Sequence, residues 1–240
     1  MPTIVFISSK GGVGKTTAAL VLALGLAGRG ERVALVDADP NLPLFRWGGQ
    51  AGKPAGVMVF PAATQDELRD VLPVAQSWAE WVIVDTEGSS EARNLIPSIS
   101  PDLVLIPVGP SVLEAHEAIK SAQALRSMSR AWDLPIPHAC LFTRLPAAIR
   151  THSMTDVVQQ LKAEGIRMLE TPLVEKEVFR RLFAACGGLE PQLPETVYGL
   201  QAARTNAERY VANVLWLLQD DWRTPITPVI VRPVAVPARF

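Results

Sequence analysis

A chain of 240 residues that is 48% hydrophobic can bury one sizeable core, and it lies just below the length at which single cores divide. Its formal net charge of -1 supplies no global basic field, so any nucleic-acid contact must come from a local patch; residues 1–120 carry 9 Lys/Arg against 13 Asp/Glu, and residues 121–240 carry 14 against 11. Cys140 and Cys186 are too few and too far apart for a disulfide framework, no signal peptide is visible, and no apolar run reaches membrane-span length, which together lead us to expect a soluble, intracellular protein.

The chain opens with an apolar strand, Ile4 to Ile7, followed by Ser9-Lys10-Gly11-Gly12-Val13-Gly14-Lys15-Thr16-Thr17 and an apolar-periodic helix from Ala18 to Leu26. Strand, glycine-rich loop and helix in that order predict a phosphate cradle, because glycine lets successive backbone N–H groups approach an anion without a Cβ between. Lys15 supplies charge beside the outer phosphates, Thr16 offers its hydroxyl to Mg²⁺, and the helix N-terminus adds its dipole. Gly11, Gly12, Val13, Gly14, Lys15, Thr16 and Thr17 are thus the candidate nucleotide contacts.

The general pattern has Gly where this chain has Ser9, and it has no lysine at the position of Lys10. With that extra lysine the loop resembles the deviant Walker A motif of the ParA/MinD family of dimeric ATPases. The resemblance implies an α/β fold with a doubly wound, mostly parallel sheet and helices on both faces. It also implies that Lys10 reaches the nucleotide of the partner subunit, which makes Lys10 and Lys15 candidate catalytic residues.

Arg32 to Val36 form the next strand, ending in Asp37-Ala38-Asp39-Pro40-Asn41, where carboxylates at a strand's carboxyl end face the ligand crevice. The resemblance makes this switch I, with Asp39 activating the attacking water and Asp37 supporting the Mg²⁺ shell. Residues 41–56 are expected to be an irregular surface loop. A short strand over 56–60 and a helix capped by Thr64 follow. Trp81 to Asp85 is an apolar strand ending in a carboxylate, the Walker B arrangement, and makes Asp85 a candidate Mg²⁺ holder with Thr16 and Asp37. Thr86 to Ser90 lie where the family's switch II lies, with Glu87 a departure from its usual pattern.

A buried strand over 102–107, a helix over 111–130 and a strand over 137–142 come next, then helices over 151–164, 176–185 and 201–219. The family resemblance assigns nucleotide contacts to Thr143, Arg144 and Pro172, with Thr143 in the place of the usual Asn. The stretches Thr143 to Thr151 and Glu170 to Leu173 are most similar to VirC-class accessory ATPases of conjugative DNA transfer and to small ParA proteins. Residues 1–219 are expected to form the ATPase domain and 220–240, rich in proline, an extended tail that is not a membrane-binding amphipathic helix.

By resemblance the protein hydrolyses ATP slowly with Mg²⁺, forms a homodimer when ATP-bound, binds DNA nonspecifically and responds to a stimulating adaptor protein; a cytoplasmic location that can include the nucleoid goes with this. Arg126, Arg130, Arg150, Arg180, Arg181 and Arg204 are the candidate DNA contacts. The cargo is a plasmid or other DNA; the alternatives are a protein assembly such as a chemotaxis cluster, a carboxysome or a DNA-transfer complex, or a nucleotide-gated scaffold with negligible turnover.

Overall fold

Alternate residues of the first strand, β1 (Thr3–Ser8), belong to different cores: Ile4 and Phe6 face one side, Val5 and Ile7 the other, and all four are buried. The same alternation recurs in β2 (Val33–Ala38), β5 (Leu103–Val108) and β6 (His138–Leu145), so each of these strands is apolar on both faces and lies inside a parallel sheet. The computed structural model describes residues 1–145, 152–175, 177–185, 199–220 and 222. Strand order is β3-β2-β4-β1-β5-β6-β7, with β3 at Val57–Pro61, β4 at Trp81–Gly88 and β7 at Arg167–Met168. A two-residue strand, β8 (Leu173–Val174), pairs with the far end of β6, and every pairing is parallel.

Helices cover both faces, as the doubly wound reading requires. One core joins the sheet to α1 (Lys15–Ala27), α2 (Pro43–Gly48), α7 (Glu177–Ala185) and α8 (Leu200–Gln219); the other joins it to α3 (Gln65–Trp78), α4 (Ile96–Ile99), α5 (Val112–Trp132) and α6 (His152–Ala163). Helix α1 is buried on nearly every side because α8 covers its outer face. Contact is so close that a Cβ at Gly25 would stand 2.5 Å from Cγ2 of Val211, and Tyr210 packs fully buried with its hydroxyl donating to the Ala18 carbonyl at 3.4 Å. Thr64 caps α3 reciprocally with Glu67.

Of residues 41–56, expected to be an irregular loop, 43–48 form a helix and the rest is irregular. Pro43 starts α2 with a preset φ, the Phe45 amide donates to Asp37, and Leu44 and Trp47 are buried. The Trp47 indole N–H donates to the Leu182 carbonyl at 2.9 Å, joining α2 to α7. Trp216 is half exposed, while Tyr210, Val214 and Leu217 of α8 face the core as their spacing requires.

Past α8 the chain first turns back onto the sheet edge. Arg167 pairs with Asp220 and stacks over the Trp222 ring, 4.4 Å from its centroid, and the Trp222 indole donates to the Leu217 carbonyl. The Pro-rich run expected to be a tail lies outside the described residues. Among those described, no helix is long and apolar enough to cross a membrane.

Candidate nucleotide site

The crevice lies at the carboxyl ends of β1, β2 and β4, near where the strand order reverses, which is where an open α/β sheet binds ligands. From β1 the chain passes through residues 9–14 directly into α1. Gly12 and Gly14 sit at φ +75° and +92°, conformations that an L side chain resists, and nothing within 4 Å would meet a Cβ on Gly11 or Gly12. The loop is therefore an open cradle of main chain. No side chain caps α1 and no acid lies in its first turn, so its N-terminal dipole is left to face an anion. Lys15 is buried beside the loop and Thr16 is half-buried at the first turn.

Among the described residues, Asp85 is the one with two buried side-chain oxygens that lack a partner. It is fully buried on β4, in register with Asp37 on one side and Phe6 on the other, and neither carboxylate oxygen has a hydrogen-bond partner among the described residues. Burial pushes its carboxyl up to about 7, against the opposing pull of the Lys15 charge and the Thr16 hydroxyl, while Asp37 and Asp39 push the same way as burial. An orphaned carboxylate beside a threonine hydroxyl fits Mg²⁺, which takes one or two carboxylates and leaves its remaining positions to water and phosphate. No cluster of three or more His, Cys, Asp or Glu able to hold a metal occurs among the described residues.

Asp37 is buried too, and burial raises its carboxyl, but its oxygens are occupied. Oδ1 accepts from the Asp39 amide at 3.3 Å and Oδ2 from the Phe45 amide at 2.9 Å, so Asp37 braces the turn into α2. Asp39 is half-buried, with Oδ1 accepting from both the amide and the side-chain nitrogen of Asn41 at 2.8 and 3.0 Å. These bonds hold the turn closed around the crevice.

On the other flank, Gly88 at the end of β4 presses directly against the loop. A Cβ there would lie 2.5 Å from the Gly11 nitrogen and 2.7 Å from the Lys10 carbonyl carbon. Thr86 is buried, donating to the Phe6 carbonyl at 2.8 Å, and Glu87 accepts from the Ser89 hydroxyl. Gly88 was expected only as part of the switch II stretch Thr86 to Ser90; a glycine three residues after Asp85 was the available signal for this close approach.

At the end of β6, the Thr143 hydroxyl donates to the Val13 carbonyl at 2.6 Å, and Thr143 touches the loop at Gly14. Arg144 adopts φ +55° and pairs with Glu114 on α5. Pro172 gives its carbonyl to the Asn206 side-chain amide at 2.8 Å, while Oδ1 of the same asparagine accepts the Val174 amide. Asn213, two turns on, accepts the Thr171 amide. These two asparagines hold the 171–174 segment, a role that their spacing on α8 alone did not disclose.

The described candidate DNA contacts divide between the helices of the two sheet faces, Arg126 and Arg130 on α5 and Arg180, Arg181 and Arg204 on α7 and α8. Arg126 donates to the carbonyls of Glu164 and Gly165, at 2.8 and 2.6 Å, and so closes the end of α6. Arg180 pairs with Glu175 and Glu177, and Arg181 with Glu177. Arg130 is exposed, bonding to Ser127; Arg204 is half-buried on α8; Arg150 lies outside the described residues.

Comparison with known proteins agrees with this architecture. The family model described as VirC1 protein matches residues 1–189. Protein ParA of Rhizobium radiobacter is 34% identical over 224 residues, covering 93% of this chain and 100% of that protein. The maintenance of carboxysome distribution protein A of Halothiobacillus neapolitanus is 31% identical, covering 74% of this chain and 82% of its own. Among solved structures, an ATP complex of a variant of Cyanothece McdA superposes with a TM-score of 0.68 at 16% identity, covering 89% of this chain and 96% of that one.

Proposed function

The chain belongs to the VirC1 family of ParA/MinD-type ATPases, and from that premise we propose that it is an ATP-dependent dimerising switch that hydrolyses ATP with Mg²⁺ and positions a DNA cargo by binding DNA nonspecifically. The observation that carries this reading is the buried Asp85 carboxylate, without a hydrogen-bond partner among the described residues, set close to Lys15 and Thr16 of the helix that follows the open glycine loop.

In this reading the main-chain amides of residues 11–17 and the α1 dipole bind the phosphates, and Lys15 neutralises the outer ones. Thr16 and Asp85 would hold Mg²⁺, with Asp37 supporting its shell from the turn behind them, and the ion would supply neutralisation of phosphate charge. Asp39, on the turn held by Asn41, orients the attacking water. Lys10 crosses to the partner's phosphates, so charge stabilisation depends on dimerisation and hydrolysis is coupled to assembly. Thr143, Arg144 and Pro172 form the far wall, where Thr143 acts through the loop's main chain. We assign residues 1–219 to this ATPase unit and 220–240 to a tail, and we place the protein in the cytoplasm, with the nucleoid as its DNA and an adaptor protein as its stimulator.

Phosphate release measured with and without duplex DNA tests the whole reading. Lys15→Ala abolishes nucleotide binding, whereas Lys10→Ala spares binding and loses turnover; wild-type turnover in Lys10→Ala would remove the in-trans lysine. A gel shift with ATP at two salt concentrations tests the DNA half, since phosphate contacts weaken steeply with salt. One observation favours a second reading, in which the cargo is a protein assembly: Arg126, Arg180 and Arg181 are already engaged within the chain. The matched relative named for carboxysome distribution supports that alternative. Absence of ATP-dependent DNA binding at low salt, together with intact turnover, would decide for it.

A further inference from the structure

The entry to the phosphate loop is gripped from α5. Ser9, standing where the general motif has glycine, donates its hydroxyl to Oε2 of Glu117 at 2.8 Å across 108 residues of sequence. The other carboxylate oxygen takes the Lys120 ammonium at 2.9 Å, and the Glu117 side chain is 23% exposed. Two further constraints meet at the same place. The Ser8 hydroxyl donates to the Lys10 carbonyl at 2.6 Å, and the Gly88 backbone abuts Lys10 and Gly11.

Lys10 thus has a pinned main chain and a long, flexible stem. Its ammonium can be delivered reproducibly only if the point of departure is fixed, because displacement of a catalytic group by about 1 Å costs on the order of a hundredfold in rate. Of the three constraints, the Ser9 bond is the one made by the residue that stands where the general motif has glycine, and it is charge-assisted and so among the stronger hydrogen bonds. Glu117 also faces Lys10 across a small cavity lined by Ser8, Ser9, Val13 and Glu114. Its carboxyl is held below the usual range by the Lys120 and Ser9 bonds, with the Lys10 charge adding to them.

We propose that Glu117 is a positioning residue for the in-trans lysine: by accepting the Ser9 hydroxyl it fixes the main chain from which Lys10 departs toward the partner's nucleotide. This rests on the reading of Lys10 given above. A carboxylate this near a phosphate site is costly unless neutralised, and the Lys120 ammonium supplies that neutralisation.

The test uses the full chain with Ser9→Gly, Glu117→Ala, Glu117→Gln, the Ser9→Gly/Glu117→Ala double variant and Lys10→Ala. ATP affinity, ATP-dependent dimerisation by sedimentation and kcat are read for each. Ser9→Gly and Glu117→Ala should each lower kcat about tenfold, the scale of one hydrogen bond to a charged group, with ATP affinity changed less than about twofold. The double variant should be no slower than either single, and Glu117→Gln, which keeps an acceptor for Ser9, should recover most of the rate. Wild-type kcat in Ser9→Gly or Glu117→Ala, or additive losses in the double, overturns the proposal while a slow Lys10→Ala leaves the in-trans lysine standing. If Lys10→Ala turns over normally, that reading falls and this proposal with it. Should Glu117→Ala fail to fold, Ser9→Gly and Glu117→Gln carry the same decision.

Discussion

The hydroxyl of Thr143 donates to the carbonyl of Val13 at 2.6 Å, a bond spanning 130 residues that ties the end of β6 to the phosphate loop. Both partners are buried, so the carbonyl has no water to turn to if the hydroxyl is removed. Thr143→Val, nearly isosteric, should lower the unfolding free energy by about 1–2 kcal/mol and weaken ATP binding by loosening the loop, while Thr143→Ser should restore both. Urea unfolding and fluorescent-nucleotide titration check the pair. Loss of stability with unchanged affinity would show that the bond serves the fold alone.

Asp85 poses the opposite case, a residue that the folded state tolerates at a cost. Its carboxylate is buried and unpartnered, so Asp85→Asn should raise the unliganded protein's stability at pH 8 by about 1–3 kcal/mol. The same substitution should abolish the extra stabilisation that Mg-ATP gives the wild type. Thermal melts with and without Mg-ATP, and with EDTA, distinguish the two effects; a less stable Asp85→Asn without nucleotide would refute the account.

Gly88 leaves no room for a side chain. The atoms a Cβ would strike are main-chain atoms of Lys10 and Gly11, not the movable end of a side chain. Gly88→Ala should therefore displace the loop, costing about 1–3 kcal/mol of stability and weakening ATP affinity by at least about tenfold, ~1.4 kcal/mol. Isothermal titration reads the second effect directly, and an Ala variant binding ATP as the wild type does would show that the two segments can part freely.

His138 sets a pH limit remote from the site. Burial pushes its imidazole below its ordinary 6.5, the Ile136 carbonyl that accepts its Nδ1–H opposes this, and Arg126 and Arg167 add to it. The folded ring therefore takes up its proton at a lower pH than the ring of an unfolded chain, which gains it as pH falls through 6.5. Its contribution to stability is complete above that value and is lost as pH falls toward the depressed folded value. Relative to His138→Gln, the wild type should lose unfolding free energy between pH 7 and pH 5; parallel stability curves for the two would contradict this.

Strand alternation and the glycine loop made the sheet and the cradle legible before any coordinates, because both depend on local pattern. Asp85 was legible for the same reason, as a carboxylate ending an apolar strand. Helix α2 was not: a segment with Pro43, Gly48 and Gly49 looks irregular until Asp37 is seen to hold the Phe45 amide and α7 to receive Trp47. Glu117, Asn206 and Asn213 act through partners 108, 32 to 34 and 42 residues away, distances at which no periodicity reports. Nor does periodicity report that Arg126 donates to the two carbonyls that follow α6.

The packing of α8 over α1 has a consequence for synthesis. The helix that follows the glycine loop is finished by residue 27, yet the face closed by Tyr210 and Val211 stays bare until α8 has left the ribosome. For most of translation a thirteen-residue apolar rod is exposed, a natural client for chaperones. A photo-crosslinker at Leu22 in stalled nascent chains should capture them before residue 219 emerges and release them afterwards. A gene truncated ahead of α8 would then yield aggregate rather than a shorter ATPase.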